Sequence, residues 1–298
     1  MQNNTVIIIG GGPAGVTASL YTARAKIATK IFYTKNHALK TAHMVENYYG
    51  FAEPISGEAL YQRGLLQAKK LGVEIVEEEV VAIEELDDGL GFNVKAASTH
   101  TSKLVILATG ASRERPIWQG VEKFEGMGVS YCAVCDAFFF RDKDVAVAGS
   151  GLYALHEASA LLPVVKSVTL ITDGKELTAD FPKEIKIIDK KVEKLKGDSL
   201  LSGIVFEDGS DLEISALFLA IGTAGSSGLA KAAGAVTNGG YIEVDANMNT
   251  SIPGLLAAGD CTEGIQQIAK AAYNGALAGI EAVRILRKDK KLEGKGLV

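Results

Sequence analysis

Two cysteines three residues apart, Cys132-Ala-Val-Cys135, are the side chains in this sequence best suited to chemistry. A pair at that spacing at a helix start can cycle between dithiol and disulfide, and the helix dipole lowers the thiolate pKa that nucleophilic attack requires. The alternative use, a zinc ribbon, needs a second pair. Only three cysteines are present, Cys261 stands alone, and His37, His43, His100 and His156 do not sit at ligand spacing from the pair. A redox pair with no metal is the expectation. The other chemistry-bearing pattern is Gly10-x-Gly12-x-x-Gly15, which follows the apolar run Val6 to Ile9 and opens a helix. In that context the pattern binds a dinucleotide: bare glycines let the backbone approach a pyrophosphate, whose charge the N–H groups and helix N-terminus stabilise. One part of the fingerprint is missing, since no acidic residue stands near Tyr33-Thr34 to hold an adenosine ribose.

The elements that must position these residues occur twice. Val6-Ile-Ile-Ile-Gly-Gly-Gly-Pro-Ala-Gly15 and Val145-Ala-Val-Ala-Gly-Ser-Gly-Leu-Tyr-Ala154 share one strand, glycine turn and helix design. Each has a later echo, an apolar strand ending in glycine: Leu104-Val-Ile-Leu-Ala-Thr-Gly110 and Leu217-Phe-Leu-Ala-Ile-Gly222. The fold class expected is α/β, with two three-layer Rossmann-like domains of the FAD/NAD(P)-binding kind, the second inserted in the first. Junctions are placed at Arg113 to Gln119, around Pro116, and at Gly239-Gly240. The first domain then spans 1–115 and 242–298, and the second, carrying the cysteines, spans 116–241. Further strands are expected at Thr29 to Tyr33, Val73 to Val81, Tyr241 to Asp245 and Gly254 to Asp260. Helices are expected at Gly57 to Leu71 and Ile265 to Leu286.

Composition narrows the partners. The chain has 298 residues, 47% of them hydrophobic, and 33 glycines against six prolines, which suits buried parallel strands joined by tight turns. A formal net charge of −5 gives no general attraction for nucleic acid or an anionic membrane surface. Thr5 to Ile9 has no basic flank and is too short to span a bilayer, so a soluble protein of the reducing cytoplasm is expected. The lysine-rich stretches 183–196 and 284–295 read as solvated faces, His156 as a structural or solvent-facing residue, and Trp118 as packing near the first junction.

Val45-Glu-Asn-Tyr-Tyr-Gly-Phe51, Ala108-Thr-Gly-Ala111, Gly128-Val-Ser-Tyr-Cys-Ala-Val-Cys-Asp136, Thr250-Ser-Ile-Pro253 and Ala257-Ala-Gly-Asp-Cys261 follow the first glycine motif in order. With these motifs the chain resembles the low-molecular-weight thioredoxin reductases over nearly its whole length. The resemblance implies that FAD is the cofactor and that the turn containing Gly10, Gly12, Pro13, Ala14 and Gly15 holds its pyrophosphate. It implies that Thr109 and Gly110 belong to the same site, with Asn47 near the flavin, Gly259 and Asp260 at the ribityl or pyrophosphate region, and Gln267 and Ile268 opening a helix aimed at the ring. Electrons would pass from FAD to the Cys132–Cys135 disulfide, with Cys135 facing the flavin, Cys132 attacking a thioredoxin-like partner and Asp136 donating the proton. A homodimer through the Gly57 to Leu71 helix and a rotation between domains are also implied.

The second glycine motif departs from the family. Gly149-x-Gly151-x-x-Ala154 has the minimal spacing, yet Leu152-Tyr153-Ala154-Leu155-His156 follows where NADPH-using members carry a small polar residue, an alanine and an acidic residue, and Asp173 stands where they present a basic cluster. Three donors stay open: a protein such as ferredoxin, with the second domain a relic of nucleotide binding; NADH, selected by Asp173; or NADPH through other residues. The first fits the sequence best, and NAD(P)H is the doubtful cofactor. A different class of activity is a flavin-dependent dithiol oxidase that passes electrons to oxygen.

Overall fold

The computed structural model describes residues 4–35, 37–87, 89–110, 116–222, 225–238 and 240–293. Of the residues singled out above, Ala111, the junction residues 113–115, Gly239 and Lys295 lie outside the described set. The chain divides into two compact units, Met1–Ser112 with Gly225–Val298, and Arg113–Ala224. The second junction therefore falls near residue 224, not at the 239–240 pair, because the helix that follows it buries Leu229 and Ala230 and packs on a strand of the first unit.

The first unit begins β1 (Asn4–Ile9), α1 (Pro13–Arg24), β2 (Thr29–Tyr33), α2 (Gly57–Lys70), β3 (Glu74–Glu77), β4 (Ala82–Glu85), β5 (Phe92–Lys95) and β6 (Thr99–Leu107). The Val73 to Val81 strand is shorter than expected, ending as β3 at Glu77. The second unit runs α3 (Val121–Phe124), β7 (Val129–Ser130), α4 (Ala133–Asp136), β8 (Asp144–Ala148), α5 (Leu152–Leu161), β9 (Ser167–Ile171), β10 (Lys186–Ile188), β11 (Val192–Gly197), β12 (Leu201–Phe206), β13 (Asp211–Glu213) and β14 (Ala216–Leu219). The chain then completes the first unit with α6 (Ser226–Ala232), the short pair β15 (Thr237–Asn238) and β16 (Tyr241–Ile242), β17 (Leu255–Ala257) and the long α7 (Ile268–Glu293).

In the first unit, β3, β2, β1, β6 and β17 form a parallel array, with β5 and β4 added antiparallel to the start of β6. Val6, Ile7, Ile8 and Ile9 are at most 3% exposed, which is why β1 reads as an unbroken apolar run: both of its faces are covered. One cover is α7 lying close on α1. A Cβ on Gly275 would meet the Ala14 carbonyl oxygen at 2.2 Å, and one on Gly279 would meet the Ala18 oxygen at 2.6 Å. These two glycines let the helix backbones approach and so fix where the start of α7 lies over the first glycine turn. In the second unit the parallel order is β10-β9-β8-β14-β7, with a separate antiparallel sheet β11-β12-β13. No described helix is long and apolar enough to cross a membrane.

Candidate functional site: a dinucleotide cradle and a dithiol turn

In the first unit, three strand ends meet at the first glycine turn. The Gly10 N–H donates to the Phe32 carbonyl of β2 (2.8 Å), and the Ala108 N–H, past the end of β6, donates to the Ile9 carbonyl (2.7 Å). Gly10 has φ +119°, and a Cβ there would sit 2.2 Å from the Ala108 oxygen, so only glycine fits. A Cβ on Gly15 would meet the Gly10 oxygen at 1.9 Å, which sets α1 tight against the strand. Gly12 is different. It caps α1 with no side-chain bond, Pro13 follows, and nothing lies within 4 Å of its Cβ position. The helix N-terminus therefore faces open space with its positive end uncovered. Gly110, also bare of neighbours at its Cβ position and at φ +80°, follows Thr109 after β6.

The loop after β17 brings Gly259 against Ala14, where a Cβ would come within 2.7 Å of the Ala14 methyl. Asp260 follows with a buried Oδ1 that accepts no hydrogen bond, and burial raises its carboxyl pKa against the opposing pull of Lys270. Lys270 was not anticipated from sequence; its Nζ donates to the carbonyls of Gly259 (2.8 Å) and Thr262 (2.9 Å) and so ties this loop to α7. Asn47 and Gln267, distant in sequence, are joined by a 3.1 Å bond from Asn47 Nδ2 to Gln267 Oε1, one residue before Ile268 opens α7. At the end of β2, the Tyr33 hydroxyl donates to Glu77 Oε2 of β3 (3.2 Å), so a carboxylate missing from one strand end is present on its neighbour. An uncovered helix N-terminus and an orphaned buried carboxylate oxygen fit the pyrophosphate and a hydroxylated chain of FAD.

In the second unit, Cys132 and Cys135 form a disulfide at the start of α4. Cys132 is buried and caps the turn, its Sγ accepting the Cys135 N–H (3.2 Å), while Cys135 is exposed. Ser130 links the pair to Asp136: its Oγ accepts the Cys132 N–H (3.1 Å) and donates to Asp136 Oδ2 (2.6 Å). The first amide of α4, Ala133 N–H, donates to Glu157 Oε2 of α5 at 2.5 Å. Neither Ser130 nor Glu157 was singled out in the sequence, where no spacing rule connects them to the cysteines.

The second glycine turn is built like the first, with Thr178 beside its second glycine. The Gly149 N–H donates to the Ile171 carbonyl (3.0 Å), the Ala220 N–H donates to the Ala148 carbonyl (2.8 Å), and a Cβ on Gly149 would meet the Ala220 oxygen at 2.2 Å. Beside Gly151, however, the Thr178 Oγ1 lies 3.1 Å from the Cβ position, and the Thr178 N–H donates to the Ser150 carbonyl (2.8 Å). Tyr153 is buried, its hydroxyl donating to the Tyr131 carbonyl (3.0 Å). Asp173, which would select NADH on one of the three donor readings, turns inward: Oδ1 accepts the Val192 N–H (2.8 Å) and Oδ2 the Trp118 Nε1–H (3.2 Å). Both oxygens are engaged in folding the unit.

Two nucleotide-binding designs with a disulfide turn on the second define a class, and the comparisons agree with it. The pyridine nucleotide-disulphide oxidoreductase family model matches residues 4–275, and the chain belongs to that family. Within it, the chain is a thioredoxin-disulfide reductase by its relatives. It is 35% identical over 296 residues to the thioredoxin reductase of Streptomyces coelicolor, covering 93% of this chain and 92% of that one. Among solved structures it is similar to the atypical thioredoxin reductase TRi from Desulfovibrio vulgaris Hildenborough, with 38% identity, 96% and 98% coverage and a TM-score of 0.88. It is also similar to a ferredoxin-flavin thioredoxin reductase from Clostridium acetobutylicum, with 29% identity, 95% and 98% coverage and a TM-score of 0.70.

Proposed function

We propose that this flavoprotein takes electrons from a protein donor such as ferredoxin, not from NADPH or NADH, and delivers them through Cys132 and Cys135 to a thioredoxin-like disulfide. The observation that carries the donor assignment is the Thr178 hydroxyl beside Gly151, together with the inward engagement of Asp173. The similarity to a protein named as a ferredoxin-flavin thioredoxin reductase supports the same donor.

FAD, when bound, supplies the two-electron chemistry. Gly10, Gly12, Pro13, Ala14 and Gly15 would cradle its pyrophosphate, with Thr109, Gly110, Gly259 and Asp260 bordering that cradle, and Asn47, Gln267 and Ile268 would meet the flavin end. In the second unit Asp136, held by Ser130, is the group that hands a proton to the sulfurs. Cys132, buried in the oxidised pair, is uncovered before it attacks a partner; that requirement supports the rotation between units expected from the family resemblance. A homodimer is proposed through α2 of the first unit, where Leu66 is exposed. Sedimentation of the holoenzyme tests the dimer.

Anaerobic stopped-flow mixing with NADPH, NADH and photoreduced ferredoxin, following the oxidised flavin band, tests the donor. Ferredoxin alone is expected to bleach it, and rapid bleaching by either nucleotide overturns the assignment. Oxygen uptake driven by small dithiols, without reduction of thioredoxin by the photoreduced protein, would reassign the enzyme as an oxidase.

A further inference from the structure

On the reading that Cys132 and Cys135 are the working redox pair, we propose that Glu157 is a positioning residue that holds the first amide of the dithiol turn and keeps the pair strongly reducing. Glu157 is 6% exposed on α5, and its carboxylate takes the Ala133 N–H at 2.5 Å. Ala133 is the first residue of α4 and Cys132 is its cap, so this carboxylate is bound where a cysteine thiolate would draw on helix-terminal amides. Through the bonds from the Ala133 nitrogen to Cys132 Sγ, the carboxylate oxygen lies within about 8 Å of the sulfur.

The consequence follows from charge. Two electrons break the Sγ–Sγ bond, and the reduced pair binds two protons as a dithiol or one as a thiol with a thiolate. A negative Glu157 disfavours the thiolate, and with it the reduced state, so the pair gives electrons up more readily. Burial raises the Glu157 carboxyl pKa to about 7 against the Ala133 hydrogen bond, which places the change of charge within the working range of pH. The elements packed on α5 bring few competing charges. From α4 comes Asp136, bonded to Ser130, and from β8 Asp144, bonded to Lys166 and Ser167; β9 carries no titratable side chain, and α5 itself adds Tyr153 and His156.

The test equilibrates full-length wild type and Glu157→Gln with reduced and oxidised dithiothreitol, which closes to its cyclic disulfide as it gives up two electrons. Alkylation and peptide mass spectrometry then count reduced Cys132 and Cys135 at pH 6, 7 and 8. At pH 8 the glutamine variant, which keeps an acceptor for Ala133 but loses the charge, is expected to favour the reduced pair about tenfold more than wild type, about 30 mV. At pH 6 the two should converge, because the wild-type carboxyl is then protonated. An equal offset at both pH values, or none at either, overturns the proposal. Should the variant not fold, the wild-type curve decides: a bend near pH 7 in potential against pH supports Glu157, and a straight line overturns it. A wild-type pair that never titrates with dithiothreitol would instead defeat the redox reading of the cysteines.

Discussion

The two glycine turns of this molecule share a wiring diagram and differ in what fills them. In each, the glycine after the strand donates to the next strand, the residue after the closing strand donates back, and a Cβ on that glycine would strike a carbonyl at 2.2 Å. Gly12 then faces empty space, whereas Gly151 faces Thr178 Oγ1. The glycine spacing thus encodes how closely a helix can follow a strand. The neighbourhood of the second glycine is set elsewhere, by residues after the next strand such as Thr178.

The sharpest way to break this comparison is to place the same carboxylate in both turns. Gly12→Glu should cost FAD at least about a hundredfold in affinity, since it puts a side chain and a like charge where the pyrophosphate binds. Gly151→Glu should leave flavin occupancy at the wild-type level, measured by absorbance against protein concentration, while lowering stability by about 1–3 kcal/mol through crowding against Thr178. Equal flavin retention in the two variants would mean that the first turn is not the cradle.

The helices after the turns differ in the same instructive way. Counting from the glycines, α1 places Ala18 where α5 places Glu157, and Ala18 is covered by the glycine face of α7 while Glu157 reads the dithiol turn. Because the Glu157 pKa is raised from 4.5 to about 7, its contribution to stability is fully present below about pH 4.5 and is lost as pH rises through 7. Glu157→Gln should therefore be more stable than wild type at pH 8, by up to about 3 kcal/mol, and lose that advantage at pH 5. Urea unfolding of the holoenzymes at the two pH values measures this, and a pH-independent difference would refute it.

What could be read in advance divides along the same line. The strand, turn and helix units and the cysteine pair were legible because they rest on local spacing or on motifs in order. The antiparallel β11-β12-β13 sheet was not, since its strands are short and half exposed, and the junction near 224 was hidden because α6 shows its allegiance only through Leu229 and Ala230. Asp173 stands at the position of a ribose reader, and its bonds to Trp118 and Val192 could not be read from its place in the sequence. Ser130 and Glu157 reach the dithiol turn through hydrogen bonds that no spacing announces.

Asp173 offers the next test of the second turn. Asp173→Ala leaves two N–H donors without their acceptor and should destabilise the unit by about 1–3 kcal/mol, seen in urea unfolding, with no change in the response to NADH. A gain or loss of NADH bleaching in that variant would restore Asp173 to the nucleotide site.

The smallest effect expected is at Tyr153, where the hydroxyl makes one buried bond to the Tyr131 carbonyl. Tyr153→Phe keeps the ring and removes only that bond, so it should cost about 1 kcal/mol and leave nucleotide binding below detection by calorimetry. If the ring is what closes the turn, the hydroxyl is incidental and the phenylalanine variant behaves as wild type toward NADPH. If nucleotide binding appears on losing the hydroxyl alone, the ring is held in place by that single bond, and the turn is a closed gate that a conformational change could open, with its nucleotide site intact behind it.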